Sequence, residues 1–202
     1  MVTGSIRSLA AVLGVVALLS WVSLILFFVL GGPLGTLNDA GNGLLALLCG
    51  MLAIGLRGST HVGATMLALL GAVTAVLGSF LVMSERTGYF LAGLVSSLGF
   101  ALIGAWLVLL GRSGRVTAPR LAQAGGAVMA LGFLNVPGIM WRLDDQASAP
   151  TWLLVVGLSW TGTYLLLPMW AFRLARSPMT PEGVQSPGPG DQPLGGPAQP
   201  GR

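Results

Sequence analysis

Lysine is absent from this chain, histidine and cysteine occur once each, and charged residues make up only 8% of its 202 positions. Each scarcity excludes something. A soluble domain carries about 25% charged residues, so a surface this poor in charge is not built for water. The lone cysteine, Cys49, allows no intrachain disulfide and lies within an apolar block, as a small core residue does. The lone histidine, His61, sits beside Arg57 with no second histidine and no cysteine nearby. That excludes a His/Cys metal set, a haem pair and a Ser-His-Asp triad. Ser96 and Ser97 near Gly99 have no histidine base in the later segments, so an intramembrane serine protease is not expected. Phosphate-cradling and dinucleotide-binding glycine motifs are missing too. All ten cations are arginines, a bias that fits a GC-rich bacterial genome. They are scattered one or two per loop and form no patch, so nucleic acid is not an expected partner despite the net charge of +4.

Six long apolar blocks dominate what is present, at roughly 8–30, 37–56, 62–83, 88–110, 120–141 and 151–172. Each holds about 20 residues, the length an α-helix needs to cross roughly 30 Å of hydrocarbon. The expectation is an all-α polytopic membrane protein with six transmembrane helices in one domain over residues 1–176. Residues 177–202 change character: thirteen of those 26 are proline or glycine. Such a segment cannot bury enough apolar surface to fold, so a disordered cytoplasmic tail is expected. The first block follows Arg7 but runs about 23 residues, beyond the 7–15 of a signal-peptide core, and reads as a retained helix.

Charge gives the orientation. With the N-terminus inside, six spans return the C-terminus inside. The inner segments then hold Arg7, Arg57, Arg112, Arg115, Arg120, Arg173 and Arg176, and the outer loops only Arg86 and Arg142. That bias is the positive-inside rule. The acids Asp39, Glu85, Asp144 and Asp145 all fall outside. Trp141, Trp152 and Tyr89 are placed at the outer interface, Trp106 and Trp170 at the inner one, where an indole keeps its N–H near water. Trp21 and Trp160 fall deeper.

Small residues recur at four-residue spacing: Gly93, Ser97, Ala101 and Ala105 in the fourth block, Ala122, Gly126 and Ala130 in the fifth. Such stripes let helix backbones approach, within the chain or between copies. Gly71 and Ala75 offer the same in the third. Pro137 and Pro168 should kink or break their helices. Thr36 and Asp39 have the form of a capping box opening the second helix.

The second block is the odd one. Its purely apolar part, Leu44–Leu56, covers 13 residues, about 20 Å of helix, which falls short of the bilayer by about 10 Å. To span, it must draw in Asn38, Asp39 and Asn42, which share a helix face. The favoured reading is a capping Asp39 at the outer interface; the alternative is a polar or ion-binding site there, with Asn135, Arg142, Asp144 and Asp145 as candidate partners and Arg86 nearby. Trp21, Ser159, Trp160, Thr163 and Tyr164 are candidate lining of a cavity, with Ser20 and Ser23 beside them. Asp39, Asp144 and Asp145 would be the ligands of an all-carboxylate metal site, which is the lesser reading of these groups; no metal and no cofactor are expected.

The segment Gly32-Pro33-Leu34-Gly35-Thr36-Leu37-Asn38-Asp39 and the stretch Ser159-Trp160-Thr161-Gly162-Thr163-Tyr164, with Pro168 and Trp170, resemble those of bacterial multi-pass membrane proteins that are themselves uncharacterised. The resemblance covers the chain except its tail and brings no activity or ligand with it. The expected setting is a bacterial cytoplasmic membrane. The expected partners are the lipid bilayer and other membrane proteins or a second copy. The expected role is that of a non-enzymatic interaction or accessory protein, because no charge lies near the bilayer centre, where coupled transporters commonly place one. The alternative is a small transporter or ligand-binding protein with an outward-facing polar site around Asp39.

Overall fold

A computed structural model describes residues 2–177; the expected disorder of the tail beyond Ser177 lies outside the described residues. Four long helices come first: α1 (Val2–Leu30), α2 (Leu34–Gly55), α3 (Val62–Met83) and α4 (Tyr89–Arg112). The fifth segment is α5 (Pro119–Ala130), a 3-10 turn (Leu131–Asn135) and α6 (Val136–Met140). The sixth is α7 (Thr151–Val156), α8 (Ser159–Thr161), a π-turn (Gly162–Leu166) and α9 (Leu167–Arg176). Among the described residues there is no strand. Five helices, counting Pro119–Met140 as one, are long and apolar enough to cross a membrane. The sixth segment is too interrupted to contain one α-helix of that length.

Consecutive segments pack side by side, and the last closes the ring by packing against both α1 and α5. The exterior is apolar: Val29, Val62, Val73 and Met140 are each more than two-thirds exposed. The interior holds the polar groups, with Asn38, Asn42, Ser97, Asn135, Ser159 and Thr163 all buried. Water would not tolerate apolar exterior faces this extensive, whereas lipid would.

Backbones approach closely where glycines face each other. A Cβ at Gly99 would meet the Ala75 N–H and lie 2.6 Å from the Gly71 carbonyl oxygen, which fixes the α3–α4 contact. A Cβ at Gly126 would meet the Gly104 carbonyl and lie 2.8 Å from the Val108 nitrogen, which fixes α4 against α5. Gly71, Ala75, Ala122 and Gly126 thus stand at or beside helix contacts, Ala122 being fully buried. On α4 the four-residue stripe is corrected. Ala101 is buried against Gly132 and Ser97 lies over the same glycine, while Ala105 is half-buried. Gly93 has nothing within 4 Å of a would-be Cβ. The contact glycines of α4 are Gly99, Gly104 and Gly111; the first faces α3 and the other two face α5, so they keep no common spacing of four.

Two further expectations fail. Trp106 and Trp170 are fully buried inside the bundle and meet edge-on at 6.4 Å, so neither ring faces outward as a belt residue would. Trp170 Nε1 donates to the Thr117 carbonyl at 3.1 Å, so the loop supplies the partner that interfacial water would have given. Trp141, Trp152 and Tyr89 are exposed, as a belt requires. The capping box is also absent. Gly31 and Gly32, both at φ +70°, turn the chain so tightly that α2 starts at Leu34, after Pro33, with no side-chain cap. Thr36 therefore lies in the first turn and Asp39 in the second.

The prolines act as expected, and their effects place the site. Pro137 offers no N–H and its ring would press on the carbonyl four residues back. The ladder tightens to a 3-10 turn over Leu131–Asn135, which leaves Asn135 buried. Pro168 likewise follows the π-turn, whose wider turn holds Tyr164.

Candidate functional site

A cavity of about 320 Å³ opens at the end of the bundle where α1 stops and α2 and α4 begin. This is the end that carries Glu85, Asp144 and Asp145 in its loops and Asp39 in the second turn of α2, and it is called the acidic end below. The opposite, arginine end carries Arg57, Arg112, Arg115 and Arg176. The volume falls at the lower edge of the roughly 300–1,000 Å³ usual for small-ligand sites.

The early start of α2 supplies one wall. Asn38, Asp39 and Asn42 all line the cavity, drawn inward because the helix cannot span on its apolar part alone. Tyr164 Oη lies 2.8 Å from Asn42 Oδ1 and 3.1 Å from Asn38 Oδ1. One hydroxyl hydrogen can serve only one of these oxygens. The second amide must turn its NH₂ toward Oη, giving a chain amide–hydroxyl–amide. Both asparagines and the tyrosine are buried, so this chain offsets the cost of carrying them inside.

Asp39 is different. It is half-buried, and among the described residues no hydrogen bond or ion pair holds its carboxylate. It has neither the capping role nor the arginine partner that the sequence suggested. Arg142 is exposed, turned outward on a left-handed backbone (φ 52°), and does not line the cavity. Asp144 accepts from the Gly88 N–H at 2.9 Å and ties two loops together at the mouth. Asp145 accepts from the Ala147 N–H at 2.9 Å and caps a short turn. Neither lines the cavity: Asp144 is held by the Gly88 N–H of another loop and Asp145 by its own. Among the described residues no cluster of three His, Cys, Asp or Glu could hold a metal.

A second polar group lies deeper. Asn135 Nδ2 donates to Ser97 Oγ at 2.7 Å, and Ser97 Oγ lies 3.4 Å from Ser159 Oγ. Asn135 and Ser97 line the cavity floor; Ser159 stands behind them. Of the aromatic candidates, Trp160 and Tyr164 line the cavity and stack on each other at 5.4 Å and 16°. Phe100 meets Trp160 edge-on at 5.4 Å and holds it from behind. Trp21 and Thr163 do not line the cavity, nor do Ser20 and Ser23. The Ser23 hydroxyl bonds the Ser20 carbonyl of its own helix at 2.8 Å, and Thr163 points into the core, because each lies on a different helix face from the cavity residues.

The chain matches no family model, no curated protein and no solved structure. What the site can do therefore rests on its geometry.

Sequence reasoning missed Phe28, Tyr89 and Phe90 as lining residues. They end α1 and begin α4 beside the start of α2. Tyr89 was read only as an interface anchor. The available signal was position: three aromatics at helix ends on the same side as the polar turn of α2.

Proposed function

We propose that this chain is a six-span protein of a bacterial cytoplasmic membrane, with its arginine end inside, that binds a small ligand entering from the opposite side. Binding or transport is favoured over catalysis, because the cavity holds no nucleophile paired with a base. The carrying observation is Asp39: a carboxylate lining an open cavity, beside satisfied amides, with no partner among the described residues. A charge taken from water and left unpaired is costly, and such groups are retained where a ligand completes them. The accessory reading keeps its argument from the absence of charge near the bilayer centre but finds less surface to work with. The small-residue faces meant for outside partners are occupied by contacts within the chain, at Gly71 with Gly99 and at Gly104 with Gly126. The sixth span would be the interrupted segment 151–176, whose breaks at Gly157 and at the π-turn lie beside the cavity. Broken helices beside a pocket are a common way to build binding sites in transporters.

The test is accessibility. Gly93 lines the cavity with open space around a would-be Cβ, so Gly93→Cys in a Cys49→Ala background should fold. In intact spheroplasts a membrane-impermeant thiol reagent should label position 93 and leave Ser113→Cys, in the loop at the arginine end, unlabelled. Labelling of 113 but not of 93 would reverse the orientation and remove the site from the outside.

A further inference from the structure

We propose that the cavity selects small organic cations, quaternary or protonated amines, through the Asp39 carboxylate and an aromatic wall. This rests on the reading of the cavity as a ligand site and names the class of ligand. Charge is the first argument. Asp39 alone among the lining residues is charged; among the described residues no arginine and no histidine lines the cavity. The wall is otherwise apolar or neutral, so no second fixed charge among the lining residues opposes the carboxylate, and its field favours cations in the cavity.

The second argument concerns the neighbours of that charge. Phe28, Tyr89, Phe90, Trp160 and Tyr164 line the same cavity. The faces of aromatic rings attract cations by their quadrupole, most strongly where water is excluded, and rings around one carboxylate are the usual cage for an ammonium group carrying carbon substituents. The Trp160–Tyr164 stack, backed by Phe100, is a preformed rigid part of such a cage.

The third argument separates an organic cation from a metal ion. Calcium takes 6–8 oxygen ligands, and magnesium a near-ideal octahedron of oxygens and water. Here the described residues offer a single carboxylate and, with one amide oxygen of Asn38 or Asn42 accepting from Tyr164 and the other amide turned to donate, at most one free neutral amide oxygen beside it, far short of such a set. The apolar and aromatic remainder favours carbon substituents over a hydration shell.

The test uses the Gly93→Cys, Cys49→Ala protein in lipid nanodiscs, where no membrane potential acts. Two methanethiosulfonate reagents of similar size are compared, one ending in trimethylammonium and one in sulfonate, each rate being normalised to 2-mercaptoethanol. The cationic reagent should react roughly tenfold or more faster at position 93, the scale of electrostatic focusing in a charged cleft. Asp39→Asn should bring the normalised ratio near one. Choline should protect the thiol, and its neutral isostere 3,3-dimethyl-1-butanol should not. Phe90→Leu, which removes the ring and keeps the bulk, should weaken protection severalfold. If neither reagent reaches position 93, the ligand-site reading itself fails. If both react equally and the alcohol protects as well as choline, the site stands and the cation inference is overturned. Protection by sodium chloride as strong as by equimolar choline would also overturn it, in favour of an inorganic ion.

Discussion

Helix α4 carries Gly93 near one end and Gly99 and Gly104 further along, and the structure uses them in opposite ways. At Gly99 and Gly104 the neighbouring backbones press so close that a methyl group has no room. About two turns from Gly99 and three from Gly104, at Gly93, a methyl group would meet nothing, because the same helix there walls a cavity. Small residues are therefore serving two ends: they bring helices together in the middle of the bundle and hold space open at the acidic end. What separates the two uses is the partner. Gly99 faces an equally small Gly71 on a straight helix. Gly93 lies at the level where the fifth and sixth segments are broken, at Leu131–Asn135 and at Gly157, and cannot close on it.

That contrast is broken or sharpened first at the tight end. Gly99→Leu forces a side chain into the Ala75 and Gly71 backbones, which can move only if α3 and α4 separate. Overpacking costs about 1–3 kcal/mol where side chains can adjust, and more where backbone must. We expect no folded protein to be recovered from detergent, and the same for Gly126→Leu. Gly93→Leu should be recovered with near-parental melting while filling the cavity. Equal melting of Gly99→Leu and the parent would show that the close contact carries no stability.

The polar chain at the cavity comes next in size. Tyr164→Phe leaves Asn38 and Asn42 without their shared hydroxyl, and Asn42→Ala leaves Tyr164 with one partner. Each should cost about 0.5–1.5 kcal/mol, the usual net worth of such a bond, read as a lower melting temperature. The double variant should be less than additive, because both changes break the same bond. Full additivity would mean the two groups do not share a hydrogen bond.

How much of this was legible beforehand follows the same division. Features set by one segment alone could be read: the long apolar helices, the shortness of the apolar part of α2, and the disruption at Pro137 and Pro168. Asn38, Asp39 and Asn42 were found because a helix must reach across a bilayer whatever its neighbours do. Features set by two segments could not be read. Spacing by four named Gly93 and missed Gly99, since spacing states which residues share a face and not which face meets a neighbour. Trp106 and Trp170 were sent to an interface because depth along a helix is visible in sequence, while burial against α4 and α9 is not. Arg142, Asp144 and Asp145 were grouped with Asp39 on charge and on shared end. The loop conformation, with Arg142 turned outward and both aspartates bonded to nearby N–H groups, decides otherwise.

The smallest effect expected on stability belongs to Asp39, which makes it the sharpest test of the comparison. A residue built into the fold loses stability when its charge is removed; a residue held for a ligand does not. Asp39→Asn keeps the size of the side chain and removes a half-buried charge that no hydrogen bond or ion pair among the described residues offsets. Its melting temperature without ligand should equal the parental value or exceed it slightly, since the uncompensated desolvation of the carboxylate is relieved. Arg142→Gln should be equally quiet, and the two together additive, because Arg142 is exposed and does not face the cavity. A clear loss of stability in Asp39→Asn, matched by Arg142→Gln and not additive with it, would mean that the two residues pair in the membrane. The carboxylate would then belong to the scaffold, as Asn42 and Tyr164 do. If instead the apo protein is unmoved while cation-dependent stabilisation by choline disappears, the charge at position 39 is there for what enters the cavity.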